Sequence, residues 1–401
     1  MSWPRADRPT CPVCYCALDL RREPGSPTTR GFAGALRALR DFHALPQPMD
    51  NREVAASGLL RSWTCATCHF DWEQASGPLE HAMAISIMGF SASGKSTYIG
   101  AIGRGVDRVS GYLGMMPGGG SWPALTPFIV DGEALDQTRL NRDLNALIPK
   151  PDLEPTVRLG SPAPARPPVL ADTPDPTAWH RVYPIRVRVN LPRYRGASTA
   201  ILLDTPGEAL APDRDMRDVL NHVPSLANAP VLVYCLDPTQ LLGLQDHWAA
   251  LGLVPDRDAP ASLAPWRLSE AATIRTQAVT GASRAHGHLA VVVLKADLIE
   301  GLDGFPRRAI EELDLGTMSP ESAMRRLTDD SARVKSWLGR VAPGIVSSAE
   351  DGFASVSFHV ATATGGPPVV DESGRRRYPR VRSRRIFDPM YYFFLNRYLL
   401  R

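Results

Sequence analysis

The chain has 401 residues, 44% of them hydrophobic and 22% charged, with a net charge of +3. That balance excludes collagen-like and wholly disordered chains and leaves room for one large domain or two or three smaller ones; so small a charge does not by itself imply a nucleic-acid partner. The longest apolar runs, at 82–88, 289–294 and 391–395, fall far short of the roughly 18 residues a membrane-spanning helix needs.

The opening Met1-Ser2-Trp3-Pro4-Arg5 has no apolar secretory stretch, so the cytoplasm is the expected compartment. Five of the six cysteines fall early, in Cys11-Pro12-Val13-Cys14, Cys16 and Cys65-Ala66-Thr67-Cys68. In a reducing compartment two C-x-x-C knuckles point to tetrahedral zinc rather than disulfides, with reduced buried thiols as the alternative. Cys11, Cys14, Cys65 and Cys68 are the expected ligands, Cys16 is a spare, and His69 is an adjacent alternative. The knuckles stand wider apart than the usual spacing, so residues 22–60 read as an insertion. Trp63 and Trp72 bracket the second knuckle and supply the small core that a zinc ribbon needs. A turn at Ser76-Gly77-Pro78 closes this unit, which gives domains over 1–78 and 82–401.

From Ala82 short apolar runs alternate with longer helical segments, the pattern of a mostly parallel sheet with helices on both faces. Strands are expected at 82–88, 182–189, 200–203, 231–236, 289–294 and 355–360, and helices at 97–109, 214–222, 270–286, 320–341 and 389–400. Nine prolines in the 29 residues from Pro149 to Thr177 forbid a regular helix and favour an extended loop. Cys235, inside an apolar strand, reads as plain core.

The first expected strand runs into Gly89-Phe90-Ser91-Ala92-Ser93-Gly94-Lys95-Ser96, which fits G-x-x-x-x-G-K-[ST] and precedes a helix beginning near Thr97. Consecutive backbone N–H groups of such a loop cradle an anion, and the helix aims its positive end at the same point. Lys95 neutralises the β and γ phosphates and the Ser96 hydroxyl ligates Mg²⁺, so a nucleoside triphosphate is the expected occupant. Of the 45 basic residues only Lys95, Lys150, Lys295 and Lys335 are lysine, which makes each a candidate for a role where a guanidinium would not substitute; two of them, Lys95 and Lys295, stand inside sequence motifs. A second strand ends in Asp204-Thr205-Pro206-Gly207-Glu208, where Asp204 can hold Mg²⁺ through water and the Gly207 N–H can meet a γ-phosphate; a surface turn is the plainer reading. A third ends in Leu294-Lys295-Ala296-Asp297, for which a strand-end salt bridge is the alternative.

Phosphate loop, D-x-x-G and K-x-D, in this order on these strands, resemble the translation-factor-related (TRAFAC) class of P-loop GTPases, with a Ras-like fold. The resemblance implies that Asp297 reads guanine N1 and N2 while Lys295 packs its stem over the base. Leu294 stands where the family has Asn or Thr, which removes a hydrogen bond tying the base loop to the phosphate loop. Ala361-Thr362 occupies the place of the family's Ser-Ala base-supporting motif. Lys95 and Asp204 are 109 residues apart, so an expanded switch I region is expected at about 110–181. Its magnesium-reaching Thr is sought at Thr177, with Thr173, Thr156 and Thr126 as alternatives. Glu208 replaces the Gln that orients the attacking water in many small GTPases, which implies slow hydrolysis; the alternatives are a nucleotide-binding scaffold and an ATPase.

Seven arginines crowd Gly374–Arg385. They read as a solvated basic loop or as a contact for nucleic acid, anionic membrane or an acidic protein face. Tyr391, Tyr392, Phe393 and Phe394 read as core residues of the last helix rather than a stacking platform, since consecutive positions do not share one helix face. The ribbon-plus-GTPase layout with the closing Arg385-Ile386-Phe387-Asp388-Pro389-Met390-Tyr391-Tyr392 resembles the bacterial double-GTPase group of conflict-system proteins. That implies a protein partner, another GTPase, and a role in sensing or defence.

Overall fold

The computed structural model describes residues 83–90, 93–102 and 201–250 with short gaps, 263–277, 282–366 apart from 314–317, 382–399, and the short strands named below. Three two-stranded antiparallel hairpins stand apart from the main sheet: β1 (Arg21–Arg22) with β2 (Phe42–Ala44), β3 (Ser62–Thr64) with β4 (Asp71–Glu73), and β12 (Val369–Val370) with β13 (Arg376–Arg377). The main sheet contains β5 (Met83–Met88), β6 (Ala124–Pro127), β7 (Pro184–Asn190), β8 (Ala197–Asp204), β9 (Val231–Leu236), β10 (His288–Val293) and β11 (Val356–Val360), in the spatial order β11-β10-β9-β5-β8-β7-β6. The five strands from β11 to β8 are parallel, and β7 and β6 extend that edge antiparallel.

The sequence explains this division. β9 and β10 are unbroken apolar runs after their first residues and are buried along their whole length, as strands covered on both faces must be. β7, Pro-Ile-Arg-Val-Arg-Val-Asn, alternates polar and apolar residues, the pattern of an antiparallel strand with one wet face.

Among the described residues the sheet is accompanied by a helical stretch at 95–102 and by α1 (Pro224–Asn228), α2 (Gln245–Ala250), α3 (Leu263–Gln277), α4 (Pro320–Val341), α5 (Pro343–Gly352) and α6 (Asp388–Leu399). One face packs Leu232, Tyr234, Leu289, Val291 and Phe358 against Leu268, Ala272, Ile345 and Ala349 of α3 and α5. The other packs Ile85, Val233, Ala290 and Val292 against Tyr98, Ile99 and Ile102 of the helical residues 95–102 and against Met390, Tyr391 and Phe393 of α6. Along α4, Leu327 joins the second face while Val334, Trp337 and Leu338 join the first, so this helix closes the β11 edge. Ser331 Oγ of α4 accepts the Phe358 N–H at 2.9 Å, satisfying an amide on that edge. No helix among the described residues is long and apolar enough to cross a membrane.

All six expected strands and the expected helices at 320–341 and 389–400 coincide in place with observed elements, α4 end to end; of the expected helices at 97–109 and 214–222, residues 97–99, 101–102, 216–217 and 219 are described and helical. The expected helix at 270–286 is a correction. It starts at Leu263, because Pro265 is tolerated in a first turn, and ends at Gln277. Residues 283–287 instead form bends up to Gly287, whose φ is 91°. The Pro343-Gly344 pair, which looks like a helix terminator, opens α5 with Pro at its first position. Cys11, Cys14, Cys16, Cys65, Cys68, His69 and most of 110–181, including Thr156, Thr173 and Thr177, lie outside the described residues. The hairpin that frames the second knuckle is described, with Trp63 opposite Trp72 in register. Among the described residues no cluster of metal-ligating side chains occurs.

Candidate nucleotide site

The candidate site lies at the carboxyl ends of the parallel strands, where β5, β8, β9, β10 and β11 deliver their following loops. Gly89 leaves β5 against the neighbouring strand: a Cβ there would lie 2.7 Å from the Cys235 carbonyl oxygen and 3.0 Å from Cys235 Cβ. Only a residue without a side chain brings the two backbones so close. Ser93 N donates to Phe90 O at 3.2 Å to curl the loop, and Tyr98 N donates to Gly94 O at 2.9 Å to begin the helix. Gly94 sits at φ 89°, a left-handed station that glycine fills without strain. Lys95 is buried at the helix start. Ser91, Ala92 and Ser96 lie outside the described residues.

Thr205 N donates to Ile87 O at 2.9 Å, fixing the D-T-P-G segment to β5, and Asp204 is buried beside it. Burial first, and then the Asp204 carboxylate, hold the Cys235 thiol above its ordinary value, against the downward pull of the Lys95 ammonium. Both charges therefore bear on the floor beneath the phosphate loop. Among the described residues, the hydroxyls of Ser93 and Thr205 are buried with no hydrogen-bond partner. A buried hydroxyl left so costs on the order of 1–3 kcal/mol. An oxygen-rich anion in the loop would relieve it, so the residues present fit a polyphosphate. Gly207 is buried, and Glu208 follows it in the 3₁₀ turn Gly207–Leu210.

The loop after β10 meets the phosphate loop directly. Lys295 takes a left-handed φ of 51°, and a Cβ on Gly94 would find Lys295 Cε at 3.4 Å and Leu294 Cδ1 at 3.8 Å. Leu294 and Lys295 thus pass close to Gly94 of the phosphate loop. The Lys295 ammonium donates to Asp237 Oδ2 at 2.5 Å, while Asp237 Oδ1 accepts from Thr239 N at 2.8 Å and Thr239 Oγ1 at 2.7 Å. Asp237 is a site residue that the motif reading missed. Like Asp204 it is an acid at the end of an apolar strand, but it belongs to no spaced motif.

Asp297 lies in the 3₁₀ turn Ala296–Leu298, with Oδ1 accepting a hydrogen bond from Thr362 Oγ1. Thr362 Oγ1 also accepts from Gly365 N at 2.8 Å, and Ala296 N donates to Ala361 O at 3.1 Å. The structure therefore brings Gly89, Ser93, Gly94, Lys95, Thr97, Asp204, Gly207, Lys295, Asp297, Ala361 and Thr362 to one edge of the sheet. It places Thr126 elsewhere, in β6 at the far end.

Part of the basic run is not solvated, which corrects the reading of a free loop. Arg385 is buried, donating to Asp388 at 2.5 Å, Asp330 at 2.8 Å and Glu311 O at 2.7 Å. Arg384 grips Glu300, and Arg382 pairs with Glu312 at 3.5 Å. Tyr391 and Phe393 are buried as expected. Tyr392 is half-buried and stacks on His288, ring centroids 5.4 Å apart.

No family model matches this sequence, and no curated protein matches it. Among solved structures the chain is similar to the S. cerevisiae Ski7 GTPase-like domain bound to GTP, and to the same domain bound to GDP and inorganic phosphate. Each likeness has 12% identity and a TM-score of 0.31, and covers 80% of this chain and 50% of the other, so the chain spans half the length of those neighbours.

Proposed function

We propose that the chain binds a guanine nucleoside triphosphate with Mg²⁺ at the carboxyl edge of its sheet and serves as a nucleotide-controlled switch with slow intrinsic hydrolysis. The observation that carries this reading is the meeting of two loops: the side chains of Leu294 and Lys295 lie on Gly94, while Asp297, two residues further, is held by Thr362. A phosphate loop alone serves any nucleotide. A carboxylate fixed beside it supplies two acceptor oxygens to a base edge with adjacent donors, which guanine has and adenine lacks.

In this reading Lys95 and the loop amides bind the phosphates, and the Ser93 and Thr205 hydroxyls gain the partners they lack within the described residues. Ser96 and Asp204 would hold the metal ion, which when bound neutralises charge on the β and γ phosphates. Thr177 is the proposed switch I residue. Glu208, a carboxylate where a water-orienting amide would serve hydrolysis, accounts for the slow rate; a Glu208→Ala variant with unchanged turnover would remove it from the chemistry. The hairpin joining Trp63 and Trp72 supports a zinc ribbon on Cys11, Cys14, Cys65 and Cys68. The ribbon or the basic segment would report the nucleotide state to a protein partner. Leu294 favours one second reading, a nucleotide-binding scaffold that scarcely hydrolyses; phosphate release that depends on Lys95 contradicts it.

Calorimetric titration of the intact chain with GTP, GDP and ATP tests the proposal. The expected result is tight binding of both guanine nucleotides, weak binding of ATP, and a loss of roughly 10- to 100-fold for GTP in Asp297→Ala, as a charged hydrogen bond predicts. Equal affinity for GTP and ATP, unchanged by Asp297→Ala, would overturn the guanine assignment.

A further inference from the structure

The base-facing loop after β11 is gripped from outside by the segment leading into α6. Thr362 N donates to Arg384 O at 3.1 Å, Arg384 N to Thr362 O at 2.9 Å, and Arg382 N to Thr364 O at 2.9 Å. Ser383 Oγ adds a bond to Ala363 O at 2.7 Å, so every residue from Thr362 to Thr364 is tied to this segment. The Arg384 guanidinium then reaches back with both terminal nitrogens, NH1 to Glu300 Oε1 at 3.1 Å and NH2 to Glu300 Oε2 at 2.6 Å. Glu300 stands three residues beyond Asp297 in the same loop.

These links close a circuit. Asp297 is bonded to Thr362 by side chains, Thr362 to Arg384 by backbone, Arg384 to Glu300 by a two-pronged ion pair, and Glu300 returns to Asp297 through the chain. The residue next to Arg384 anchors the segment: Arg385 is buried on Asp330 of α4 and Asp388 of α6. The ion pair is the corner that can open, since the Arg384 side chain is 17% exposed and that of Glu300 40%. Glu300 hydrogen bonding is the main cause holding the Arg384 guanidinium above its ordinary value, and the charge of Asp297 adds to it.

We propose that residues 382–385 are a strap over the base-reading loop and that the Arg384–Glu300 pair is its latch, a positioning device that slows release of guanine nucleotide and sharpens recognition of the purine 2-amino group. The inference rests on the guanine-nucleotide reading above. Arg384 acts through Thr362 on Asp297 and is not assigned a contact with the nucleotide.

The test measures release of a fluorescent GDP from the intact chain, and the ratio of IDP to GDP dissociation constants, in wild type, Arg384→Ala, Arg384→Lys and Glu300→Gln. Arg384→Ala and Glu300→Gln are expected to release GDP about fivefold faster, the scale of a partly exposed ion pair. They are also expected to narrow the IDP-to-GDP ratio, because IDP lacks the 2-amino group, and Arg384→Lys should fall between. If Arg384→Ala fails to fold, Glu300→Gln opens the same circuit from the other side with side-chain volume kept. Wild-type release in both variants, or faster release with an unchanged ratio, overturns the latch. Wild-type protein that binds no GDP overturns instead the reading beneath it.

Discussion

His288 is buried against β11 with Nδ1 2.9 Å from Ser355 Oγ and Nε2 2.8 Å from Ser357 Oγ. Burial pushes its imidazole down from 6.5 to about 4, and the neighbouring His359, also buried, is held well below its ordinary value chiefly by burial and then by the charges of His288 and Arg385. A histidine with a depressed folded pKa stays neutral in the fold while the unfolded chain takes up a proton. Stability is therefore complete above pH 6.5, falls as the pH drops towards 4, and levels off below that. The shift of two and a half pH units corresponds to about 3 kcal/mol in full and about 2.5 kcal/mol at pH 4.5. Asp388, across the same helix junction, opposes this: burial raises its carboxyl despite the Arg385 charge, so the fold gains stability from Asp388 as pH falls. The wild-type profile alone mixes these effects, whereas the difference between wild type and His288→Gln removes the Asp388 contribution and reports His288 with its influence on His359. Urea denaturation at pH 7.5 and pH 4.5 should show wild type losing about 2.5 kcal/mol more than His288→Gln between the two conditions. Parallel losses in the two proteins would refute the claim that this imidazole is buried and neutral.

A Gly89→Ala variant should fold yet lose most nucleotide binding, because the new Cβ forces phosphate loop and β9 apart at a cost of roughly 1–3 kcal/mol; isothermal titration reads it. Trp337 is buried in edge-to-face contact with Phe305, ring centroids 5.4 Å apart, so Trp337→Ala should cost about 3–5 kcal/mol in chemical denaturation. Lys335 pairs with Glu350 on the exposed surface, and Lys335→Ala should change stability by less than about 1 kcal/mol in the same assay. Purified protein should carry stoichiometric zinc by elemental analysis and lose it in a Cys11→Ser, Cys65→Ser double variant.

The central sheet was legible because its parallel strands are buried on both faces, and an apolar run such as Val231–Leu236 between polar ends admits few other readings. The phosphate loop and the acids at strand ends were legible for a related reason: their chemistry demands fixed residue types at fixed spacing. Asp237 escaped because a single acid after a strand has no spacing to test, and its partner Lys295 lies 58 residues away. The strap escaped for the same reason at longer range. Seven arginines in a row of twelve look like a solvated loop until Arg384 is seen to meet Glu300, 84 residues earlier in the chain. The start of α3 at Leu263 and the whole of α5 from Pro343 escaped, because proline opens each helix in its first turn and reads locally as a breaker.

Equilibrium binding of GTP in the presence of Mg²⁺, compared between the wild-type chain and Lys95→Ala, bears most directly on the whole account. Lys95 is the buried ammonium at the mouth of the phosphate loop. Saturable uptake by wild type that falls by at least about 100-fold in the variant is the predicted result, consistent with removal of a buried charged contact. No uptake by folded wild-type protein, or equal uptake by both, would contradict it.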